Sequence, residues 1–276
     1  MSTAKIFQIF HNPKTKKQLD AGFIPLDNSK NERPDWYEFW VIRNFLLNKK
    51  LEEDHWYGFL SPNFLNKTGV RSKAVHDLLR KADGLCDVVI IPYAWDQISY
   101  FLNCFEQGEF WHPGLVHSSE EFFRASGIDL DLKHYVGSTQ NTVLSNFVFG
   151  KRNYWEKWLS LANLLFGYFE CGEVTSSKQT GALTTYGSAE NLAPMKAFIQ
   201  ERLASVVLAS ENFRVLAADI SGNLPIYDRL FPDNPRTRRL LHTCDILKQE
   251  YCSSRDVGYL EMYRKIRDLV PVRGGG

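Results

Sequence analysis

The order of apolar and polar positions alternates between short continuous apolar runs and longer segments with an apolar residue every three or four positions. The apolar runs predict buried strands at residues 5–10, 56–60, 87–93, 143–150 and 213–220. The helical spacing predicts helices at 34–49, 72–82, from Asp96 to just before Gly108, 118–126, 153–169, 194–209, 235–251 and 255–269. Strands that alternate with helices predict an α/β protein, with a Rossmann-like mixed sheet flanked by helices and a helical C-terminal part.

Residues 171–190 lose this periodicity and are rich in Gly, Ser and Thr. A loop of this length in a compact domain is usually a lid, a binding loop or a disordered stretch. Residues 1–270 are therefore predicted to form a single α/β domain that carries this loop. Residues 271–276, which end in three glycines, are expected to be a tail left from expression or the stump of a linker to another module.

The helix predicted at 34–49 keeps polar side chains within an apolar segment. At 100° per residue, Arg43 falls in the same stripe as Trp40. Burying a guanidinium without a partner costs several kcal/mol, so Arg43 is expected to meet an anion. Two anions remain open: a nearby carboxylate such as Asp35 or Glu38, and a bound diphosphate or acidic sugar.

Composition narrows the classes of partner. The 276 residues include 33 basic and 32 acidic side chains, a formal charge of +1, which lacks the positive surface that most nucleic-acid-binding proteins need. The N-terminal sequence has no signal-peptide pattern, and no segment reaches the ~18 consecutive apolar residues of a membrane span. We expect a soluble, cytoplasmic protein with no nucleic-acid partner and with reduced core cysteines. The arginines of 235–239 predict either a solvated face or a peripheral contact with anionic lipid or phosphate.

Candidate chemistry depends on polar residues at predicted strand ends, because the sequence lacks GxGxxG, GxxxxGK[ST], GxSxG and HExxH motifs. His11 and Asn12 follow the first strand, where open α/β sheets bind ligands, although Asn-Pro also starts ordinary turns. Asp96 follows the third strand, either as a general base or as the N-cap of the next helix.

The densest polar cluster is FEQGEFWHPG at residues 105–114. Its chemically useful side chains are Glu106, Glu109, Trp111 and His112. Carboxylates beside a tryptophan are typical of carbohydrate sites, where the ring stacks on a sugar and the carboxylates accept its hydroxyl protons. A helix end with solvated acids is the alternative. Asp129 and Asp131 formally match Asp-x-Asp, a pattern that can hold a divalent metal, but we assign no metal ligands from it.

Several ordered segments share a pattern with a known family. They are IFQIFHN, LDNSKNERPDWYEFW followed by VIRN, DHWYGFLSP, SNFVFGKRNYWEKWLSLANLLF and FIQERLAS. In this order they resemble bacterial glycosyltransferase-like proteins from surface-polysaccharide loci, over residues 5–65 and 143–206. The chain departs from that pattern at Ser61-Pro62, where the relatives carry a His-Tyr-Arg-Arg run.

The resemblance implies the nucleotide-sugar-binding fold called GT-A and a set of donor-binding positions. The positions expected near the nucleotide are His11, Asn12, Asp27 and Asn28. The positions expected in the sugar-diphosphate pocket are Glu38, Arg43 and Asn44.

We therefore expect a glycosyltransferase that moves a sugar from a nucleotide-sugar donor to a polysaccharide or lipid-linked glycan, with Mg²⁺ or Mn²⁺ as candidate cofactors. In this hypothesis Arg43 neutralises the leaving diphosphate. The candidate bases are Asp96, Glu106 and Glu109, with Trp111 and His112 on the acceptor side. The rival hypothesis is a non-catalytic carbohydrate-binding or assembly module within a larger protein, and a two-carboxylate glycoside hydrolase is the third.

Overall fold

The computed structural model describes residues 3–171, 183–186 and 188–273. Its strands are β1 (Ala4–Phe10), β2 (Ile24–Asp27), β3 (Trp56–Leu60), β4 (Val88–Ile90), β5 (Val148–Gly150), β6 (Leu183–Tyr186), β7 (Ser188–Pro194) and β8 (Val215–Ala217). Its α-helices are α1 (Pro13–Lys16), α2 (Tyr37–Asn48), α3 (Phe64–Thr68), α4 (Ser72–Ala82), α5 (Trp95–Tyr100), α6 (Cys104–Trp111), α7 (Leu115–Ser126), α8 (Arg152–Cys171), α9 (Met195–Gln200), α10 (Leu203–Ser210), α11 (Pro235–Ser254) and α12 (Val257–Arg267).

Six strands form one mixed sheet in the order β2-β1-β3-β5-β4-β8, and β6 and β7 form a separate hairpin. β5 runs antiparallel to its neighbours β3 and β4, whereas the other neighbouring strands of this sheet are parallel. The carboxyl ends of the five parallel strands and the amino end of β5 therefore share one edge, which we call the carboxyl edge. The predicted α/β class, mixed sheet and helical C-terminal part are confirmed.

Successive side chains along each strand point to opposite faces of the sheet and so contribute to two hydrophobic layers, one on each face. Phe7 and Phe59 belong to the layer that packs under α2 and α8, while Ile6 and Leu60 belong to the layer that packs under α4. Helix α2 buries Phe39, Val41, Ile42 and Leu46 between the sheet and the tryptophans of α8, and it leaves Tyr37, Asn44 and Leu47 exposed on its other side. A third cluster joins α11 and α12 to α5.

Three strands of the six-stranded sheet, β4, β5 and β8, are shorter than the apolar runs predict, and one strand of this sheet was missed. β4 ends before Pro92, which has no N–H to give to a ladder. β5 starts only at Val148 because Ser145 and Asn146 have left-handed backbones, with φ of 57° and 55°. The missed strand, β2, has four mostly exposed residues at the edge of the sheet and therefore no apolar run.

Two predicted helices are each split in the structure. The helix from Asp96 breaks into α5 and α6, because Asn103 starts a new helix by accepting hydrogen bonds from the next turn. Gly108 lies inside α6 and does not end a helix. The helix at 194–209 breaks into α9 and α10. The helix predicted at 118–126 begins three residues earlier, because α7 starts at Leu115.

A buried arginine holds α10 against α6. The Arg202 side chain is 2% exposed, and its guanidinium donates to Cys104 O, Phe198 O and Gln107 Oε1 at 2.8, 2.6 and 2.8 Å. Gly108 of α6 passes directly over this guanidinium, since a Cβ atom there would lie 2.5 Å from Arg202 Nη2. The missing side chain at Gly108 thus makes room for the cation.

The predicted loop at 171–190 is partly wrong, because residues 183–186 and 188–190 belong to the β6–β7 hairpin; residues 172–182 lie outside the described residues. The predicted tail begins too early: Arg273 N still donates to Leu230 O, and only 274–276 lie outside the described residues. Cys86, Cys104, Cys244 and Cys252 are free thiols, as predicted. Among the helices described, every one is too short or too polar to cross a bilayer.

Helix α11 is anchored to α5 by a buried lysine. Lys248 is fully buried, and its ammonium donates to Ile98 O and, at 2.6 Å, to Phe101 O. Burial lowers the pKa of Lys248 to about 8. The two carbonyl oxygens at the end of α5 provide dipoles, not a countercharge.

Because of Lys248, we expect the free energy of unfolding to depend on pH in the alkaline range. Between about pH 8 and the ordinary lysine value near 10.4, the unfolded chain binds a proton that the folded chain has lost, so the free energy of unfolding rises with pH. We expect wild type to gain stability relative to Lys248→Met between pH 8 and pH 10, by at most ~1.4 kcal/mol per pH unit. Urea denaturation of both proteins across this range measures it. A difference that stays constant with pH would contradict the assignment.

Candidate functional site

The carboxyl edge of the sheet carries a polar pocket, which we call the central pocket. Its lining comes from the start of α2, the segment after β3, the residues before β5, and α9. The lining residues are Tyr37, Glu38, Ile42, Phe59, Ser61, Asn63, Lys67, Ser145, Asn146, Ala193, Ala197, Phe198, Gln200 and Glu201. The cavity volume is about 130 Å³, below the roughly 300–1,000 Å³ of sites that enclose a drug-sized ligand, so the pocket suits one part of a larger ligand. It lies where open α/β sheets bind their ligands.

Unusual backbone conformations concentrate around this pocket. Five non-glycine residues of the described chain have positive φ, and three of them, Tyr37, Ser145 and Asn146, line the central pocket. A left-handed backbone costs a residue with a side chain of order 1 kcal/mol or more and clusters at functional sites. The strained backbone is therefore a second, independent indication that the central pocket is a functional site.

The central pocket contains three ionisable side chains that influence one another. Burial by itself would lower the pKa of the Lys67 ammonium. The pKa is nevertheless raised, because the attraction to Tyr93, Glu201 and Glu38 is larger than the effect of burial. Burial, reinforced by the charge of Glu38, raises the pKa of the Glu201 carboxyl. Lys67 Nζ donates to Ser145 Oγ at 2.9 Å, and Tyr93 Oη lies 3.1 Å from the same oxygen. Carboxyl groups with a raised pKa in a cleft are candidates for acid–base chemistry.

Three polar atoms of the lining residues are shielded from solvent and have no hydrogen-bond partner in the described part of the chain. They are Ser61 Oγ, Asn146 Oδ1 and Gln200 Oε1. A buried polar atom without a partner costs about 1–3 kcal/mol, so such atoms in a native protein call for a ligand or an ordered water. The central pocket is therefore better satisfied with a hydrogen-bonding ligand than without one.

A second cavity, the α2 groove, follows the neighbouring face of the same helix. It is lined by Asp27, Asn28, Ser29, Lys30, Glu32, Trp40, Val41 and Asn44. Asp27 is the last residue of β2, so this groove also opens at the carboxyl edge. The structure thus brings together three of the predicted donor-binding residues, Asp27, Asn28 and Asn44, and places a fourth, Glu38, in the central pocket.

His11 and Asn12 line neither of these two cavities. Asn12 caps α1, where its Oδ1 atom accepts from Thr15 N at 2.8 Å, and His11 is exposed. The ordinary turn, which was the alternative from the sequence, accounts for both residues.

The predicted environment of Arg43 is wrong. Its guanidinium donates to Asn163 Oδ1 at 2.8 Å and lies 4.1 Å from the ring centroid of Phe166, both on α8. Within the described residues, the Arg43 guanidinium forms no ion pair with a carboxylate, and it lines neither of the two cavities. The expectation of an anion failed because Arg43 is only half-buried, so water, an amide oxygen and an aromatic face can satisfy the cation.

The carboxylate expected beside Arg43 has other partners. Asp35 pairs with Arg33 at 2.8 Å and with Lys196 at 2.5 Å, and Glu170 accepts from the same two cations and from Trp36 Nε1. Arg33 first, with Lys196, lowers the pKa of Asp35 to about 2. This ion cluster fixes the entry into α2 against α8 and α9, and it accounts for Arg33 and Asp35 at the start of that aromatic segment.

The three carboxylates predicted as bases do not converge with one another or with Arg43. Glu109 caps α7 by accepting from Gly114 N and Val116 N, both at 2.8 Å. Glu106 accepts from Arg267 at 2.7 Å. Asp96 is buried and accepts from Tyr227 N at 2.6 Å. Each therefore has a structural partner, and the predicted convergence is wrong.

The two residues predicted on the acceptor side are packed into the protein. Trp111 Nε1 donates to Gln97 Oε1 at 2.8 Å. His112 stacks on Phe198 and contacts Thr185 O through Nδ1 at 2.6 Å. Burial lowers the pKa of His112 to about 4, so the ring is neutral near pH 7. Neither residue lines the central pocket or the α2 groove.

The described residues contain no group of three or more His, Cys, Asp or Glu side chains that could hold a metal ion. The Asp-x-Asp formed by Asp129 and Asp131 is exposed after α7, and Asp131 accepts from Lys133 N and contacts His134. A divalent ion at the central pocket would depend on one or two carboxylates and on oxygen atoms of its ligand, an arrangement that Mg²⁺ commonly uses.

Sequence reasoning missed five residues that line the central pocket, Lys67, Ser145, Asn146, Gln200 and Glu201, and also Tyr93, whose hydroxyl lies beside that of Ser145. Comparison with known proteins adds no further assignment, because no family model, no curated protein and no solved structure matches the chain.

Proposed function

We propose that the protein is a GT-A-like glycosyltransferase, in which the central pocket binds the sugar of a nucleotide-sugar donor and the α2 groove binds its nucleoside. The observation that carries this proposal is the central pocket itself: a strained, polar cavity at the carboxyl edge, rich in oxygen acceptors and lined in part by the start of α2. The mixed α/β sheet supports a GT-A-like fold.

The acceptor-rich lining suits a sugar. Glu38 and Glu201 are carboxyl groups, and Asn146 and Gln200 each have an amide oxygen without a partner in the described part of the chain. Sugar hydroxyl groups are hydrogen-bond donors that can satisfy such oxygens. The Tyr37 ring, 41% exposed at the mouth, offers an apolar face for a sugar ring.

The α2 groove suits a nucleoside for separate reasons. In open α/β sheets, an acidic residue about 20 positions beyond the first strand binds ribose hydroxyls, and Asp27 occupies such a position at the end of β2. Trp40 contributes an indole ring against which a base can stack. Because both cavities use α2, one rigid helix would align the two parts of the donor.

Glu201 is the best candidate for the base that deprotonates the acceptor hydroxyl. Its raised carboxyl pKa brings it closer to neutral pH, where a general base is most effective. It replaces the predicted bases Asp96, Glu106 and Glu109, whose oxygens bind elsewhere.

A non-catalytic saccharide-binding module is the second candidate. It is favoured by one observation, the dispersal of Asp96, Glu106 and Glu109 into structural contacts. In that case the central pocket would bind a glycan and would catalyse no reaction.

The test is titration calorimetry with UDP, GDP and CMP sugars, with and without Mg²⁺ or Mn²⁺, followed by assays for sugar release or transfer. We expect one nucleotide sugar to bind, and Asp27→Asn to weaken it about tenfold, because a hydrogen bond to a charged group contributes roughly 1.5–3 kcal/mol. Glu261→Gln, an exposed acid on α12, is the matched control and should not change binding.

Three other outcomes separate the hypotheses. Binding of oligosaccharides without any nucleotide sugar would establish the binding module. Release of sugar from a polysaccharide without a nucleotide would establish a hydrolase. An absence of binding by any nucleotide sugar, with either metal, would refute the transferase proposal.

A further inference from the structure

We infer that Lys67, Ser145 and Tyr93 form a phosphate-binding unit that stabilises negative charge on the leaving diphosphate. The inference deepens the proposed function and rests on it: it names the part of the donor that this side of the central pocket recognises. The role was first expected of Arg43, which instead packs against α8.

The contacts of this unit leave hydrogen-bond donors for a ligand. Lys67 Nζ donates one of its three protons to Ser145 Oγ, 2.9 Å away. The hydroxyl groups of Ser145 and Tyr93, 3.1 Å apart, have two protons between them and use one for their mutual hydrogen bond. When Tyr93 donates to Ser145, the O–H group of Ser145, which lines the central pocket, is left to bind an anion, and Lys67 keeps further ammonium protons in either arrangement. Polarisation by the ammonium strengthens that O–H group as a donor.

The charge of Lys67 is secured by its surroundings. Lys67 is the sole basic residue among the described residues that line the central pocket. Its ammonium lies 5.1 Å from the ring centroid of Tyr93 and 5.8 Å from that of Phe147, close enough for attraction to both rings. Tyr93, Glu201 and Glu38 together keep its pKa above the ordinary lysine value despite burial. Lys67 therefore remains a charged ammonium at the pH values at which a bound phosphate is ionised.

The backbone holds Ser145 in place for this role. Ser145 and Asn146 are two consecutive residues with left-handed backbones, and Val148 N donates to Asn146 O to close the turn before β5. Such strain persists only where the surrounding structure enforces it. Here the turn points the Ser145 hydroxyl at two partners from other segments, Lys67 on α3 and Tyr93 after β4.

The proposed step balances without a further reactant. The bond between the anomeric carbon and the phosphate oxygen breaks, and its electron pair goes to that oxygen. The acceptor hydroxyl oxygen bonds to the anomeric carbon, and its proton passes to Glu201. Lys67 and the free O–H group donate hydrogen bonds to the phosphate oxygens, whose negative charge grows as the bond breaks.

The first experiment uses inorganic pyrophosphate as the probe, titrated by calorimetry into wild type and variants. We expect Lys67→Met to weaken pyrophosphate binding at least tenfold and Ser145→Ala several-fold. Lys81→Met, an exposed lysine on α4, should not change it. Circular dichroism and thermal unfolding establish that each variant is folded. If Lys67→Met fails to fold, Ser145→Ala and Tyr93→Phe provide the same comparison.

The second experiment measures turnover with the nucleotide sugar that binds. Removing one donor to a developing oxyanion typically costs 10²–10³-fold in kcat, so Lys67→Met should lose that much kcat. Pyrophosphate binding equal to wild type in Lys67→Met would overturn the inference and leave the transferase proposal standing. Pyrophosphate binding that depends on Lys67, with no nucleotide sugar bound, would refute the transferase proposal and retain the anion site. A wild-type protein that binds neither would overturn both.

Discussion

Replacing Gly108 with alanine is expected to lower the free energy of unfolding by about 3 kcal/mol. The new methyl group would lie 2.5 Å from Nη2 of the buried Arg202 guanidinium. That group cannot retreat, because three hydrogen bonds, all 2.8 Å or shorter, fix it from both sides. The variant must break one of these bonds or push α6 away from α10. Thermal unfolding should show a fall in Tm of roughly 6–10 °C.

Gly167 supplies the matched control for this substitution. It also lies inside a helix, α8, but no atom would lie within 4 Å of a Cβ added there. Gly167→Ala should therefore raise the free energy of unfolding by roughly 0.5–1 kcal/mol, the ordinary gain of alanine over glycine in a helix. If both variants shift Tm equally, the close approach of Gly108 to Arg202 does not limit the stability of the protein, and the prediction is wrong.

Glu201→Gln is expected to abolish sugar transfer, with kcat reduced about 10²–10⁴-fold, the usual contribution of a general base. Glutamine keeps the shape and hydrogen-bonding capacity of the side chain but cannot accept the proton of the acceptor hydroxyl. Donor binding should persist, so calorimetry with the nucleotide sugar separates lost chemistry from a lost site. Glu261→Gln again serves as the control and should retain full activity.

The pH profile adds an independent check on Glu201. A base works only when deprotonated, and burial raises the pKa of this carboxyl. The acid limb of kcat/KM should therefore lie above pH ~4.3, the ordinary glutamate value. Because the charge of Glu38 contributes to the raised pKa, Glu38→Gln should move this limb to lower pH. An acid limb that stays in place in Glu38→Gln would contradict the coupling between the two carboxyl groups.

Much of the fold follows from the local pattern of apolar residues, and the prediction fails where contacts between distant residues decide the structure. The runs at 5–10 and 56–60 and the stripe at 153–169 match β1, β3 and α8 closely, because long periodic segments bury one face whatever their neighbours are. The break between α5 and α6 depends on Asn103, whose side chain caps the new helix and also donates to Leu132 O and Tyr135 O. Those two partners lie about 30 residues away, so the spacing of apolar residues could not reveal the break.

Asp27 and Glu38 could be expected only from the resemblance, which implies donor-binding residues at these positions; the strand that ends at Asp27 was itself missed. Residues that come together from distant segments could not be expected. Lys67, Tyr93 and Ser145 come from three segments that the sheet order brings together. A lone lysine in a polar stretch usually faces water, and nothing in its sequence context distinguishes Lys67 from that case.

The reversed strand has a consequence for how the protein is made. β4 has two partners in the sheet, β5 and β8, and both come much later in the chain. While the ribosome has delivered only the first 147 residues, β2, β1 and β3 can already pair, but β4 has no native neighbour. Once residues 148–150 are available, β5 can pair with both β3 and β4, which connects β4 to the first three strands and brings Ser145 to Lys67 and Tyr93. The central pocket should be complete only later in synthesis, when the lining residues between Ala193 and Glu201 have been made.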